Sequence, residues 1–492
     1  MKPSYAARYC VADSQSLQNA EAKPMRDVRP PAVPGFRSLA ELTFLAFLTH
    51  LMIPAPAFAS DSSPSAPSHV QIQFFNDRYQ LTINNNPFYI KGAGLESGSL
   101  EKLRAHGGNS FRTWRTRDGR QSGKELLDRA RTNGLYVAMG LDLAHERSGF
   151  DYDNTKAVAR QFDSLIRQVA ELKDHPALLM WVIGNELNFE KNPRVWDAVN
   201  AISREIHRLD PNHPTTTPLA GFKKDTAELV RSRAPDLDLL CFQMYGDIVN
   251  LPRYLREARW DKPYIISEWG ATGHWECPKT DWDAPVENDS TTKADLYRLR
   301  FEKVIQSDQK LCLGSYVFLW GQKQERTPTW YGMFLKSGEE TAPVDVMHFL
   351  WTGAMPENRC PVVRGILMEG RKPSQSIHLK AGQSCSARLD AMDPDNDPLS
   401  YRWEIMEEST ARSVGGDRES IPSQVPGSIT NAIASEVFIR APEKPGPYRL
   451  FAYVFDGKGH AAHANIPFCV DPANAARTNT AEVSERDQHA GR

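Results

Sequence analysis

Two glutamates stand directly after strongly apolar runs of this sequence. Glu186 closely follows residues 181–183 (Trp-Val-Ile), and Glu268 closely follows residues 264–266 (Tyr-Ile-Ile). An apolar run that ends in a carboxylate predicts a strand whose charged end lies at the rim of a fold, because an unpaired buried charge is costly. Two carboxyl groups about 5–5.5 Å apart can cleave a glycosidic bond, one by protonating the leaving oxygen and the other by attacking the anomeric carbon. These two residues are therefore the candidate catalytic pair.

The elements that would position this pair are short apolar strands that alternate with amphipathic helices. Such a pattern predicts a parallel sheet covered on both faces, and eight units in about 270 residues are the size of a (β/α)8 barrel, an α/β fold. A doubly wound sheet is the alternative, which the lack of a G-x-G-x-x-G motif after the first strand disfavours. In a barrel, Glu186 and Glu268 end the fourth and seventh strands, which face each other across the mouth. The strand candidates are residues 88–94, 109–114, 136–143, 178–184, 215–219, 237–245, 264–268 and 314–320.

The residues around both glutamates resemble those of clan A retaining glycoside hydrolases. Residues 181–188 (Trp-Val-Ile-Gly-Asn-Glu-Leu-Asn) look like the Asn-Glu motif of that clan, and residues 266–270 (Ile-Ser-Glu-Trp-Gly) look like its nucleophile strand. Residues 81–94 are similar to the start of the TIM barrel in glycoside hydrolase family 2. The resemblance covers roughly residues 70–350. It departs from family 2 in one respect, because those enzymes carry sandwich domains before the barrel and the sandwich predicted here follows it.

The resemblance implies that Glu268 is the nucleophile and that Glu186 is the general acid/base. It also implies five residues of the substrate site: Asn185 for the sugar 2-hydroxyl, Arg112 and Tyr245 for hydrogen bonds to Glu268, and His145 and Trp320 along the sugar that is cleaved. Each has a structural alternative. The glutamates could be rim salt-bridge partners, Arg112 could belong to a solvated run of arginines, His145 could hold a loop, and Trp320 could cap the barrel.

The composition of the chain outside the barrel indicates a signal peptide, linkers, a second domain and a tail. A basic stretch, a short apolar core at 42–53 and small residues at 57 and 59 are typical of a secretory signal peptide, with an uncleaved anchor as the alternative. We therefore expect an exported protein, periplasmic or extracellular. The predicted organisation is a signal peptide at 1–59, a linker at 60–69, the barrel at 70–355, a linker at 356–375, a small all-β sandwich at 376–472 and a disordered tail at 473–492.

Export makes disulfides possible for the six cysteines that follow the signal peptide, and six cysteines permit 15 pairings. Cys385 and Cys469 bracket the predicted sandwich and form the favoured pair, whereas Cys241 lies in an apolar run and is expected to be a buried thiol. Residues 393–397 (Asp-Pro-Asp-Asn-Asp) resemble a turn of PKD-like and cadherin-like sandwiches. Their aspartates could either form the turn alone or bind Ca²⁺.

Charge and composition argue against two classes of function, nucleic-acid binding and membrane insertion. The chain has 492 residues, of which 40% are hydrophobic and 24% charged, and its formal net charge is −2. A near-neutral chain lacks the basic field of nucleic-acid binders, so no nucleic-acid partner is expected. The apolar segment 42–53 of the predicted signal peptide is too short to span a bilayer comfortably, so stable membrane insertion is not expected either. The sequence predicts a retaining β-glycoside hydrolase or transglycosylase that acts on an oligo- or polysaccharide without a cofactor or metal. A non-catalytic glycan-binding envelope protein on a barrel scaffold is the alternative, and the sugar and its linkage stay open.

Overall fold

A computed structural model describes residues 66–95, 97–117, 119, 121–412 and 416–472. The predicted signal peptide (1–59), the start of the first linker and the predicted tail (473–492) lie outside these residues. None of the helices within the described ranges is long and apolar enough to cross a membrane.

Nine parallel strands form a nearly closed sheet in the order β8-β7-β6-β5-β4-β12-β11-β10-β9. The two strands at its ends, β8 and β9, are separated only by Thr217, whose carbonyl accepts a hydrogen bond from Cys241. They are thus two halves of one interrupted strand, and the sheet closes as the predicted (β/α)8 barrel. The strands are β4 Ile90–Leu95, β5 Ser110–Arg112, β6 Tyr136–Leu141, β7 Leu178–Ile183, β8 Thr215–Thr216, β9 Pro218–Ala220, β10 Leu240–Gln243, β11 Tyr264–Gly270 and β12 Cys312–Trp320, preceded by β1 Val70–Phe75, β2 Arg78–Ile83 and β3 Asn86–Phe88.

Helices surround the barrel, and an apolar face packs an amphipathic helix on the strands. In the helix that follows β7, the buried side chains include Val195, Val199, Ile202 and Ile206, which recur every three or four residues. The strand β7 itself is buried along its whole length, as expected for a parallel sheet covered on both faces. The helices are α1 Leu100–Ala105, α2 Gly123–Thr132, α3 Thr155–Leu172, α4 Arg194–Leu209, α5 Lys224–Arg233, α6 Leu251–Glu257, α7 Ser290–Arg300 and α8 Ala342–Thr352.

The antiparallel strands β1, β2 and β3 close the amino-terminal end of the barrel. Val70, Leu81 and Ile83 join a buried cluster with side chains from inside the barrel, among them Met180. Ser68, which lies in the predicted linker 60–69, is also buried, and its hydroxyl donates to the carbonyl of Leu178 at 2.6 Å. These contacts fill the barrel interior at this end, whereas Glu186 and Glu268 lie at the opposite end, where the strands finish.

The carboxyl-terminal part is a two-sheet sandwich, as predicted, but it begins earlier than expected. One sheet has the order β13-β15-β18-β17 and the other β14-β20-β19-β16. Strand β13 lies inside the segment 356–375 that we predicted to be a linker, so that prediction is wrong. Every second or third side chain of β13 enters the sandwich core, and the strand pairs with β15. The strands are β13 Val362–Met368, β14 Ile377–Lys380, β15 Ser384–Met392, β16 Ser400–Glu407, β17 Ile429–Thr430, β18 Glu436–Arg440, β19 Gly446–Phe455 and β20 Ala461–Asp471.

The predicted disulfide between Cys385 and Cys469 is wrong, because all six cysteines of the described residues are free thiols. Cys385 points into the sandwich core from β15. Cys469 lies on β20 of the other sheet, between Phe468 and Val470, which both point into that core. Since neighbouring side chains of a strand point to opposite faces, Cys469 points away from Cys385. Cys241 is buried, as predicted.

The aspartates of the turn at 393–397 have protein partners. Asp393 Oδ1 accepts the backbone N–H groups of Asp395 and Asp397 at 2.8 and 3.0 Å, as the turn interpretation predicts. The carboxylate of Asp395 is held by the guanidinium of Arg359, and that of Asp397 by Lys458. Two of the three aspartates thus pair with a cation of the chain, while Oδ2 of Asp393 and Oδ2 of Asp397 are buried and find no hydrogen-bond partner among the described residues.

A buried ion pair of the barrel is hydrogen-bonded to the sandwich. Lys293 of α7 donates to Glu287 at 2.5 Å, and Asn465 of β20 donates to the other carboxylate oxygen at 2.6 Å. Burial raises the pKa of Glu287, but Lys293 and its other partners outweigh this effect and lower that pKa to about 2. The ionised carboxylate is thus part of the packed interface at neutral pH.

Replacing Lys293 by Met is expected to lower the free energy of unfolding by about 3–5 kcal/mol, because it leaves a buried carboxylate without its counter-charge. Urea denaturation followed by tryptophan fluorescence measures this change. The matched control is Lys124→Met, which removes an exposed pair with Asp128 and should cost less than about 1 kcal/mol. Equal losses in both variants would contradict the prediction.

Candidate active site

Glu268 lies near the end of β11, and its carboxylate accepts hydrogen bonds from four side chains. Arg112 at the end of β5 donates to Oε1 at 3.0 Å, and so do Trp114 at 3.1 Å and Gln243 of β10 at 3.0 Å. The hydroxyl of Tyr245 donates to Oε2 at 2.9 Å. The side chain is 8% exposed, so these donors replace the water that an ionised carboxylate requires. The arrangement stabilises Glu268 as a carboxylate with a fixed orientation.

The contacts predicted for Arg112 and Tyr245 are thus present, whereas Trp114 and Gln243 were not assigned from the sequence. Both lie close in sequence to a predicted site residue, because Trp114 is two residues after Arg112 and Gln243 is two residues before Tyr245. Side chains two apart on an extended chain share a face, and this spacing is the signal that could have found them. Arg112 is 1% exposed, so the alternative of a solvated loop arginine does not hold.

Glu186 lies where the chain leaves β7 in a sharp turn. Gly184 has φ 70°, and a Cβ there would stand 2.5 Å from the side chain of Leu187. Glu186 itself has φ 53°, in the left-handed region that non-glycine residues rarely adopt, and its N–H donates to the carbonyl of Pro218. The turn directs the Glu186 carboxyl into the cleft, where none of the described side chains forms an ion pair or a hydrogen bond with it.

The environment of Glu186 favours its protonated form. Burial and the negative charge of Glu268 raise the pKa of Glu186 to about 8, although the charges of Arg112 and Arg147 act in the opposite direction. The two carboxyl groups of the cleft are therefore in different environments: burial favours the protonated form of Glu186, whereas four donors contact the carboxylate of Glu268. Such a difference is what separates an acid from a nucleophile.

Asn185 links the two halves of the site. Its Oδ1 accepts from Arg112 at 3.0 Å and from Gln243 at 2.8 Å. Because both partners are donors, the amide oxygen points inward and the NH₂ group is left to donate to a ligand. This orientation suits the contact with a sugar hydroxyl that the resemblance implies for Asn185.

His145 and Trp275 lie on the walls of the same cleft. His145 Nδ1 is 2.6 Å from a carboxylate oxygen of Glu190, so this histidine both lines the cleft and holds a loop. Trp275 is 54% exposed and packs edge-on against Tyr245, which leaves a ring face for a sugar. Trp330, in contrast, is buried and donates to a backbone carbonyl.

Trp320 does not line the cleft, and its prediction as a sugar contact is wrong. It is fully buried, donates to the carbonyl of Ser99 at 3.0 Å and packs against Phe334 and Trp351. The pairing of β12 with β4 shifts in register between Val317 and Trp320. The side chains at the end of β12 therefore point to other faces than a regular alternation predicts. Phe318 lines the cleft instead.

The cleft at the carboxyl ends of the strands has a volume of about 340 Å³. Besides the residues described above, it is lined by charged side chains of several loops, Arg115, Arg117, Asp142, Arg147, Lys323, Glu325 and Asp417. A groove of this size with a few converging polar groups is suited to a ligand that carries many hydroxyl groups.

Replacing Trp114 by Phe is expected to lower kcat/KM about tenfold to a hundredfold, because the ring stays while a hydrogen bond to a carboxylate is lost. Steady-state kinetics on an aryl β-glycoside measures the change. The matched control is Trp260→Phe. The rings of Trp114 and Trp260 each stack on an arginine at 4.9 Å, but only the N–H of Trp114 has an acceptor among the described residues. A loss of the same size in both variants would contradict the role of the N–H.

A sequence model described as "Glycosyl hydrolases family 2, TIM barrel domain" matches residues 120–276. The match includes Glu186, Glu268, Asn185, Gln243 and Tyr245. The barrel of this chain is therefore similar to the TIM barrel domain of family 2, in agreement with the resemblance of the motifs.

The chain is also similar to proteins named β-glucuronidase. It is 27% identical to the one from Streptococcus agalactiae serotype V over 248 residues, which are 41% of this chain and 40% of the relative. It is 27% identical to the one from Rattus norvegicus over 223 residues, 39% of this chain and 32% of the relative. The chain thus spans well under half the length of these curated relatives.

Solved structures of the same name also align with this chain. The β-D-glucuronidase of Dictyoglomus thermophilum aligns with a TM-score of 0.45 at 20% identity, over 59% of this chain and 54% of that one. The β-glucuronidase of Parabacteroides merdae aligns with a TM-score of 0.43 at 12% identity, over 82% of this chain and 51% of that one.

Proposed function

We propose that this protein hydrolyses β-glycosidic bonds with retention of configuration, with Glu268 as the nucleophile and Glu186 as the general acid/base. The observation that carries the proposal is the pair of carboxyl groups in one cleft with opposite environments. Four donors hold Glu268 as a carboxylate, while burial and the neighbouring charge keep Glu186 protonated. The family 2 barrel match supports the same reaction class.

In the first step, Glu186 gives its proton to the glycosidic oxygen while Glu268 attacks the anomeric carbon. The bond to the leaving group breaks, and a covalent glycosyl-enzyme forms at Glu268. Arg112 and Tyr245 hold the attacking carboxylate in place, and the Asn185 NH₂ group donates to the sugar beside the reacting carbon. These donors are already in position before substrate binds, so little reorganisation is needed.

In the second step, Glu186 is ionised and acts as the base. It takes a proton from water, the water oxygen attacks the anomeric carbon, and Glu268 leaves as a carboxylate. Two inversions restore the original β configuration. If a sugar hydroxyl takes the place of water, the same step gives a transglycosylation product.

A uronic acid is the substrate class to test first. The curated relatives are named β-glucuronidases, and cationic side chains line the cleft of this chain, among them Arg115, Arg117 and Lys323. A sugar carboxylate in this cleft would find a positive partner. Neutral β-glucosides belong in the same panel.

The test uses residues 60–492 with p-nitrophenyl β-glycosides, among them the glucuronide and the glucoside, and with β-1,3-, β-1,4- and β-1,6-linked oligosaccharides. Proton NMR at early time identifies the first anomer released. The proposal predicts the β anomer, which mutarotates afterwards. Release of the α anomer first would contradict the retaining mechanism.

The rate is expected to fall as the pH rises through about 8. The pKa of Glu186 is raised to about 8, so the acid stays protonated at neutral pH and is lost above that value. The pH profile of kcat/KM for an aryl β-glycoside measures this fall, which is the alkaline limb of the profile. In Arg147→Ala, the limb should move to higher pH, because Arg147 lowers the pKa of Glu186. A limb that stays in place in this variant would contradict the assignment.

A non-catalytic glycan-binding protein is the rival proposal. It would bind a sugar in the same cleft without needing a protonated Glu186, and it predicts no product from any substrate in the panel. Glycan binding without turnover would favour it.

We also propose that the folded chain is exported, on the basis of the sequence at 1–59 alone. Amino-terminal sequencing of the mature protein from its native cells tests this proposal. A mature chain that begins after Ala59 would support it, and one that retains residues 1–59 would contradict cleavage.

A further inference from the structure

The carboxyl-terminal sandwich contributes to the wall of the catalytic cleft. Gly416 and Asp417 line the cleft together with Glu186 and Glu268, although they belong to the segment between β16 and β17 of the sandwich. The site is therefore built from both domains.

The segment is anchored to the barrel on both sides of these residues. Beyond them, the backbone N–H of Arg326 donates to the buried carboxylate of Glu419 at 2.6 Å. Before them, the Arg326 guanidinium donates to the carbonyl of Ala411. Arg326 lies in the loop after β12, next to Glu325, which also lines the cleft. One barrel loop thus fixes the sandwich segment beside the site.

The base of the segment is held by a second, buried contact. Glu408, which directly follows β16, receives two hydrogen bonds from Arg449 at 3.0 and 2.9 Å. The same guanidinium donates to the carbonyl of Pro285 in the barrel at 2.8 Å. Because Arg449 and Glu408 are both buried, this contact fixes the position of the segment against the barrel.

The sandwich side chain at the cleft pairs with an arginine of the barrel. Asp417 Oδ1 is 3.5 Å from the guanidinium of Arg147, and the two side chains are 51% and 48% exposed. An exposed pair of this kind contributes little to stability, so both groups are available to a ligand. The backbone N–H of Glu146 donates to Glu190 at 2.8 Å, so the loop that carries Arg147 is joined to the segment that directly follows Glu186. The pair therefore lies on the side of the cleft where the leaving group is protonated.

We propose that Asp417 and Arg147 form the subsite for the sugar unit on the leaving-group side of the scissile bond, so that the sandwich domain takes part in the choice of glycan. This inference rests on the proposed function. A sugar hydroxyl donates to the Asp417 carboxylate, and neighbouring hydroxyls accept from the planar guanidinium of Arg147. An aryl leaving group has no such hydroxyls and gains none of these bonds.

The test compares two substrate classes with the same reacting sugar, a p-nitrophenyl β-glycoside and a β-linked oligosaccharide. In Asp417→Ala and in Arg147→Ala, the ratio of kcat/KM for the oligosaccharide to that for the aryl glycoside should fall about fivefold to tenfold. Most of the loss is expected in KM. Asp417→Asn, which keeps a hydrogen-bonding group, should restore part of the ratio.

The matched control is Asp197→Ala, which removes a similarly exposed pair with Arg233 between α4 and α5. Its ratio should equal that of the wild type, and melting temperatures check the fold of every variant. An unchanged ratio in both Asp417→Ala and Arg147→Ala would overturn the inference, and so would an equal fall in the control. If the wild type turns over neither substrate, the proposed function itself fails. Turnover with an unmoved ratio contradicts only the subsite.

Discussion

Replacing Glu268 by Gln is expected to lower kcat at least about 10⁴-fold, the scale of loss seen when a catalytic nucleophile is removed. The amide has nearly the shape of the carboxylate but cannot attack the anomeric carbon. Three of the four donors to Glu268 meet at one oxygen, Oε1, so that oxygen is held in place and Tyr245 orients the other. Steady-state kinetics on the best aryl β-glycoside measures the loss.

The matched control for this variant is Glu302→Gln, which alters an exposed partner of Arg298 on the outside of the barrel and should leave kcat unchanged. Mass spectrometry of the wild type with a 2-deoxy-2-fluoro glycosyl fluoride adds a direct measurement. The trapped sugar should be found on the peptide that contains Glu268. Labelling of another peptide, or a Gln variant with substantial activity, would show that the nucleophile is a different group.

Replacing Glu186 by Ala is expected to reduce the rate by an amount that depends on the leaving group. For an oligosaccharide, whose leaving oxygen needs a proton, kcat/KM should fall about 10²- to 10⁴-fold, the usual contribution of general acid catalysis. For an activated aryl glycoside such as the dinitrophenyl derivative, the first step needs no acid, so the second step becomes slow and the glycosyl-enzyme accumulates. The measurement is a comparison of kcat/KM across aryl leaving groups of rising pKa.

Azide distinguishes this role from a structural one. Because the Ala variant leaves space beside the anomeric carbon and azide needs no base, azide should accelerate turnover and give a β-glycosyl azide. The same addition to the Glu268 variant should not give the β product. If all leaving groups lost activity equally in the Glu186 variant and azide had no effect, the acid/base assignment would be wrong.

Much of the barrel could be predicted because its signal is local. A strand that is buried on both faces is mostly apolar, as β7 shows along its whole length and β11 in its first three residues. The charged residue that ends such a strand must lie at a rim, so Glu186 and Glu268 could be identified with their strand positions. The contacts of Arg112 and Tyr245 with Glu268 followed from the family resemblance rather than from periodicity.

Other features depend on elements that meet only in the folded chain. A register shift in β12 turns Trp320 into the interior and Phe318 into the cleft, and no local pattern reports such a shift. Cys385 and Cys469 bracket a domain in sequence but point to different faces of its two sheets. Asp417 lies 149 positions after Glu268 in the chain and still lines the same cleft.

The sequence by itself therefore determined the fold class and the positions of the two glutamates near the ends of their strands, because apolar periodicity and the cost of burying charge act over a few residues. Only the tertiary structure decided which donors hold Glu268, which aromatic ring lines the cleft and that the sandwich takes part in it. Those outcomes depend on distances between segments far apart in the chain. Strand register, packing at the domain interface and the anchoring contacts of Arg326 and Arg449 set these distances.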